Sequence, residues 1–251
     1  MKKVTIFLTA AVIIAALGCG GGKQKTHGNG KMLERIEDHG EGGEVTTFEY
    51  DGKNRIVKKY SDQSPDWTIT YRRNGSVKIT DDTYWEADFV RKGNTLVNNT
   101  WGDNNAGVET ITLDKDGYIT SIERTNSNNS GWKQVINFQY ANGNLIKKVT
   151  TNSSNNEPDI IWVEEFKYDN KKSPFWGCQT PRWIIQYLYH WFGINNNIVE
   201  HNTNDQDIVV TYQYEYDNDG FPIKRLFHRS SQYGLDSGVD YTFTFHGGVG
   251  F

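Results

Sequence analysis

Hydrophobic and polar residues alternate with a period of two along most of the chain beyond residue 31. In 208–216, Ile208, Val210, Tyr212, Tyr214 and Tyr216 share one face, and Thr211, Gln213 and Glu215 share the other with Val209. In 239–245, Tyr241, Phe243 and Phe245 alternate with Asp240, Thr242 and Thr244. This period predicts β-strands with one buried and one wet face. The runs come in pairs around short Asp/Asn/Gly breaks: F-E-Y-D-G-K-N-R-I-V-K-K-Y at 48–60, T-L-D-K-D-G-Y-I-T-S-I at 112–122, F-Q-Y-A-N-G-N-L-I-K-K-V at 138–149 and Y-E-Y-D-N-D-G-F-P-I-K-R-L at 214–226. Weaker copies stand at 70–79 and 88–97. Gly52, Gly75, Gly93, Gly117, Gly143 and Gly220 mark the corners, where a positive φ is needed. The expectation is an all-β antiparallel meander of 14–16 strands, from Met32–Asp38 to Val239–Phe245. Tight Gly turns fall mostly at one end. Longer Asn/Ser segments (61–66, 126–131, 152–158, 202–207 and 230–238) fall at the other. A strongly curved sheet and a closed barrel both fit. A round barrel of this strand number has a lumen too wide for wall side chains to fill, so something must fill it or the sheet must flatten.

One hairpin breaks the rule. After F-K-Y-D at 166–169 the short turn is replaced by an insertion over 169–197 that contains S-P-F-W-G-C-Q-T-P-R-W-I-I-Q-Y-L-Y-H-W-F-G. Thr180 as N-cap, Pro181 at the first helical position and Gly193 as the stop predict a helix over 181–192. Ile184, Tyr187, Leu188 and Trp191 form one helical face. Trp183, Ile185, Tyr189 and Phe192 leave the rest almost as apolar. Such a helix is a plug inside the sheet, a lid over a hydrophobic cleft, or a surface that dips into a bilayer. Trp176, Trp183, Tyr187 and Trp191 are the candidate ligand or lid residues.

The N-terminus carries a different pattern. Lys2 and Lys3 precede an apolar run from Val4 to Leu17, too short for a stable membrane span but of the length of an export signal. A-L-G-C at 16–19 resembles a lipobox, with Ala16 where Leu is usual. That resemblance implies cleavage after Gly18, lipidation of Cys19 and stable anchoring through more than one acyl chain. Gly20 in place of Asp implies the outer membrane; neither face of it is favoured. Residues 19–30 then read as a flexible tether and 31–251 as one β domain.

Without its leader the chain has 25 basic and 31 acidic side chains, a net charge of about −6, and no basic stripe, which argues against nucleic acid. The polar strand faces carry Glu and Lys, which argues against a membrane-spanning wall. Cys178 is the other cysteine, so no internal disulfide is expected; a buried thiol is favoured over a reactive one. D-K-D-G at 114–117 and D-N-D-G at 217–220 resemble calcium loops, but their twelfth positions are Thr125 and His228, so turn chemistry explains them better. The six histidines show no ligand spacing. A Cys178–His190 dyad would need the fold to bring the two together. Glu164 and Glu165 are adjacent on a strand, point to opposite faces and cannot act as a pair. No phosphate loop or G-x-S-x-G is present. No catalytic residue, metal or cofactor is expected.

The lipobox, the F-x-Y-D-x-x-G-x-I hairpins and the K-K-S-P-F insertion followed by W-I-I-Q-Y-L and N-N-N together resemble a group of Bacteroidetes lipoproteins. That group is described as a domain of unknown function with a porin-like fold. The resemblance spans roughly residues 31–246 and implies an antiparallel β architecture and an envelope location, with no activity attached. The hairpins alone are also similar to the YD repeats of toxin-shell and teneurin proteins. Two functions are expected: a non-catalytic module that binds a hydrophobic, glycan or peptide ligand, or a structural lipoprotein that docks onto another envelope protein. Oligomeric state is left open.

Overall fold

In the computed structural model, which describes residues 30–40, 42–102, 106–154, 157–204, 208–231 and 234–247, sixteen strands follow one another around a closed antiparallel barrel. The leader 1–18, Cys19 and residues 20–29 of the tether lie outside the described residues. The strands are β1 (Lys31–Asp38), β2 (Val45–Tyr50), β3 (Ile56–Ser61), β4 (Trp67–Tyr71), β5 (Val77–Asp81), β6 (Glu86–Lys92), β7 (Thr95–Trp101), β8 (Gly107–Leu113), β9 (Ile119–Asn126), β10 (Asn129–Ala141), β11 (Asn144–Ser154), β12 (Glu157–Tyr168), β13 (Ile198–Thr203), β14 (Ile208–Tyr216), β15 (Pro222–Ser231) and β16 (Gly234–Gly247). Each pairs with its neighbours in sequence, and β1 on β16 closes the ring, with Ile36 opposite Phe243.

The Asp turns share one design. Asp51, Asp114 and Asp217 each accept at Oδ1 the backbone N–H groups two and four residues on, at 2.8–3.0 Å. Each also donates its own N–H to the carbonyl four residues on. Turn chemistry therefore occupies the carboxylates of both calcium-like loops. Gly117 and Gly220 take the positive φ as expected, but at 51–55 it is Asn54 (φ 58°), not Gly52, that does so. Asn tolerates that region because its short amide bonds locally.

The expected loops at 126–131, 152–158 and 230–238 are mostly strand. β2–β8 run five to seven residues, whereas β10–β12 and β16 run eleven to fourteen, straight through Asn- and Ser-rich sequence. Cross-strand partners override the weak β propensity of those residues.

The insertion grows from an intact Asp turn. Asp169 Oδ1 accepts from Lys171 N (3.0 Å) and Asn197 N (3.1 Å), and Asp169 N donates to Asn197 O (3.0 Å). Asn197 thus stands where the fourth residue of an ordinary turn stands. Tyr168 still pairs with Ile198, as Tyr50 does with Ile56. Residues 170–196 replace three turn residues and fold back into the barrel. There Trp183 packs edge-on to Phe89 (5.2 Å between ring centroids), Tyr189 on Phe48 (5.7 Å) and Phe192 on Phe243 (5.7 Å). Ile184, Ile185 and Leu188 complete a core that joins opposite walls. The insertion is a plug.

The plug helix α1 (Arg182–Leu188) is shorter than the expected 181–192. Pro181, not Thr180, holds the cap position; the Thr180 hydroxyl instead accepts the buried N–H of Ile56 at 2.7 Å. At the other end the chain must turn back toward its entry, so it leaves helical geometry at Tyr189 (φ −134°). Gly193 serves that reversal rather than a left-handed stop. A Cβ there would overlap the Asn196 carbonyl oxygen.

The outer wall carries cross-strand ion pairs: Arg72–Asp88 and Lys78–Glu86 at 2.7 Å, and Lys133–Glu123, Lys147–Glu165 and Lys224–Glu215 at 2.9 Å. A lipid-facing band is apolar, so this wall is built for water.

Candidate functional site

The barrel has two unlike halves. The Asp-turn end is filled by the plug. The opposite end, here the rim, is lined by polar and aromatic side chains. The boundary is a belt on the inner wall. Glu109, fully buried on β8, accepts from Arg124 Nε (2.7 Å) and from the Tyr187 hydroxyl (3.0 Å). Arg124 Nη1 donates to Gln134 (2.8 Å), and Gln134 Nε2 donates to Asn152 (2.9 Å). Next to this belt Lys148 sits 2.6 Å from Glu164, with His201 Nε2 3.8 Å from the same carboxylate. Glu165 points outward to Lys147, so the two adjacent glutamates do face opposite ways. Rimward of the belt, Trp101 and Trp132 stack at 5.4 Å with planes 7° apart, and the Arg124 guanidinium lies 5.5 Å from the Trp101 ring centre. Rimward of the belt the inner face stays polar, and only the tip of the plug extends into it.

The plug tip projects into this open half. Trp191 is 43% exposed although it lies inside the ring of strands. Its carbonyl accepts from Arg225 Nη1 at 3.2 Å. Arg225, 3% exposed, is itself clamped to Asp240 at 2.8 Å through two nitrogens. It lies 4.5–4.9 Å from the ring centres of Phe192, Tyr212 and Tyr241. A desolvated guanidinium with one carboxylate and three rings is a rigid post, and it fixes where Trp191 sits. His190, beside it, is solvent-exposed and lies near the Lys148–Glu164 pair and His201.

Between the tip and strands β1–β4 and β16 lies a cavity of about 250 Å³. Trp67, Tyr189, Trp191, Phe192 and Tyr241 give it aromatic walls, and Asp38, Glu44, Thr46, Lys59 and Ser64 give it a polar side. Glu44 Oε1 accepts from Lys59 Nζ (3.2 Å) and from the Ser61 and Ser64 hydroxyls. Burial opposes ionisation of Glu44, but those hydroxyls and Lys59 outweigh it and hold the carboxyl below its ordinary range. Lys59 Nζ lies 5.0 Å from the centre of the Trp67 ring. The Tyr189 hydroxyl is buried without a hydrogen-bond partner.

The four sequence candidates do not form one surface. Trp183 is core, 2% exposed. Tyr187 is spent on Glu109 and Phe89. Trp176 lies at the Asp-turn end beside Cys178, around a cavity of about 40 Å³. Only Trp191 reaches the larger cavity. Cys178 donates to Thr180 Oγ1 (2.9 Å), and burial pushes its thiol up to about 11, so it stays protonated near neutral pH. Sequence reasoning missed Lys59, Glu109 and Arg225, which carried a legible signal. Each is a charge in the apolar phase of its strand: Lys59 opposite Phe48, Glu109 two before Ile111, Arg225 opposite Tyr214. Among the described residues no group of three His, Cys, Asp or Glu side chains is placed to hold a metal ion.

These features define a class: a closed sixteen-strand barrel, water-facing outside, plugged at one end and open to an aromatic pocket at the other. No family model matches the chain, and no curated protein does. In fold it is similar to a porin-like protein from Bacteroides uniformis, with a TM-score of 0.57 and 13% identity over 85% of this chain and 98% of that one. A porin-like protein from Bacteroides vulgatus is similar at a TM-score of 0.53 and 13% identity, over 86% and 99%. At that identity the likeness is one of fold alone.

Proposed function

We propose that this chain is a lipid-anchored, non-catalytic binding module of the bacterial cell envelope, whose ligand enters the barrel at the rim. The observation that carries the reading is Trp191, solvent-open inside the barrel and held there by the buried Arg225–Asp240 pair. Burying an ion pair to fix a core residue gains little stability; to pre-position an exposed aromatic it makes sense. The leader, the lipobox-like A-L-G-C and the fold likeness to porin-like proteins support the envelope location. Orientation fits too. Lys31, the first strand residue, pairs with Asp217 (2.8 Å) and Asp219 (2.7 Å) at the Asp-turn end. A tether from Cys19 would reach that end and leave the rim facing away from the membrane. Native mass spectrometry of the purified chain against decanoate, short peptides and oligosaccharides tests binding. One class should form an adduct that Trp191→Ala removes; no adduct from any class would sink the reading. Cys19→Ser should shift the protein from the membrane to the soluble fraction.

A second reading, docking onto another envelope protein, is favoured by the rim itself. Tyr84 (99% exposed, φ 72°), Leu235 (87%) and Ile160 and Ile161 (both 52%) stand at or near it. Exposed apolar side chains grouped at one end mark contact surfaces. A photo-crosslinker at Tyr84 should trap one dominant partner in cells; only diffuse products would reject docking.

A further inference from the structure

Resting on the binding-module reading, we infer that the 250 Å³ cavity beside the plug tip is a subsite for one neutral sugar ring of a glycan that enters from the rim. Size sets the first limit. The space lies below the roughly 300–1,000 Å³ of drug-sized sites, so it admits one ring or one side chain and not an extended lipid or peptide. Chemistry sets the second. Five aromatic side chains offer faces and edges to the apolar C–H side of a pyranose. Hydroxyl groups on the same ring both donate and accept, and this wall presents both kinds of partner. Asp38 and Glu44 accept, Lys59 donates, and Ser64 and Thr46, whose O–H groups already point to Glu44, accept.

A purely apolar ligand would strip water from Asp38 and Glu44. A cation would meet Lys59 already lying over Trp67. A neutral polyol suits every group present. The stacked Trp101 and Trp132, across the open half, offer a second flat platform along the path from the rim.

Isothermal titration of the purified chain with a panel of neutral mono- and oligosaccharides tests this, with decanoate and dodecyltrimethylammonium as comparison probes. At least one saccharide should bind. Trp191→Ala should weaken it about tenfold or more, and Trp191→Phe much less, because stacking survives. Circular dichroism confirms folding of each variant. If no saccharide binds, the inference falls. If decanoate or the ammonium probe binds instead and Trp191→Ala abolishes it, the ligand class is wrong and the binding module stands. If a saccharide binds and responds to Trp132→Ala but not to Trp191→Ala, the subsite is misplaced.

Discussion

His201 lies against the Lys148–Glu164 pair on the inner wall, with the exposed His190 of the plug tip near the same pair. Burial lowers His201, with Lys148 adding to the effect and Glu164 opposing it. A histidine whose folded pKa lies below its unfolded value of about 6.5 makes the unfolded chain bind more protons in between. Its contribution is therefore complete above about pH 6.5 and is lost progressively on acidification. Glu44, Asp51 and Asp217 are held below the ordinary carboxylate range, so their contribution fades only further down, as those groups protonate. The urea midpoint should fall between pH 7.5 and pH 5, and His201→Gln should flatten that slope. An unchanged slope in the variant would show that the His201 imidazole is free to charge in the fold. Nothing in the sequence marked these two histidines as neighbours. They are eleven residues apart, on the plug tip and a wall strand, and only the folding of the insertion brings them to one ion pair.

The insertion shows what a pattern can and cannot deliver for an element. Its apolar surface on all sides demanded burial, and the core contacts of Trp183, Ile184, Ile185 and Leu188 meet that demand. Its length was misread because Thr180 and Gly193 are good cap residues in isolation. In the fold both are recruited elsewhere, Thr180 to a strand N–H and Gly193 to a backbone crossing. Side chains from the helix also complete the walls: Gln186 accepts the N–H of Ile119 at 3.1 Å. The two tryptophans at its ends separate structure from function. Trp183→Ala removes a 2%-exposed indole from between Phe89 and the core and should destabilise by about 3–5 kcal/mol. Trp191→Ala, at 43% exposure, should cost no more than about 1 kcal/mol. Chemical denaturation of both variants checks the contrast; equal losses would mean that the tip is structural and the cavity incidental.

At the scale of the whole molecule, every wall contact except β1 on β16 joins strands adjacent in sequence. The hairpin repeat made that order legible, and an even strand count allowed closure. The alternation did not show that the inner face changes character along the barrel axis, because polar residues facing an open lumen look in sequence like polar residues facing outward. Cross-lumen contacts come from the plug, which touches Phe48 on β2, Phe89 on β6, Glu109 on β8 and Phe243 on β16. A wall of this many strands has a lumen that its own side chains cannot fill. Cooperativity should therefore reside in the plug and not in the ring. Replacing residues 170–196 with Asn-Asp-Gly, the turn that follows Asp217, tests this cleanly. Asp169 and Asn197 already make the hydrogen bonds of an ordinary Asp turn, so the hairpin between β12 and β13 should still close. What is lost is the filling, and the inward faces of Ile79, Phe89, Ile111 and Ile122 are left lining a void. The expected product keeps β-sheet signal in the far ultraviolet, loses near-ultraviolet aromatic signal, binds hydrophobic dye and melts without a sharp heat-capacity peak. A sharp, native-like transition in the deletion variant would show that the ring is self-sufficient and would recast the insertion as a dispensable functional element.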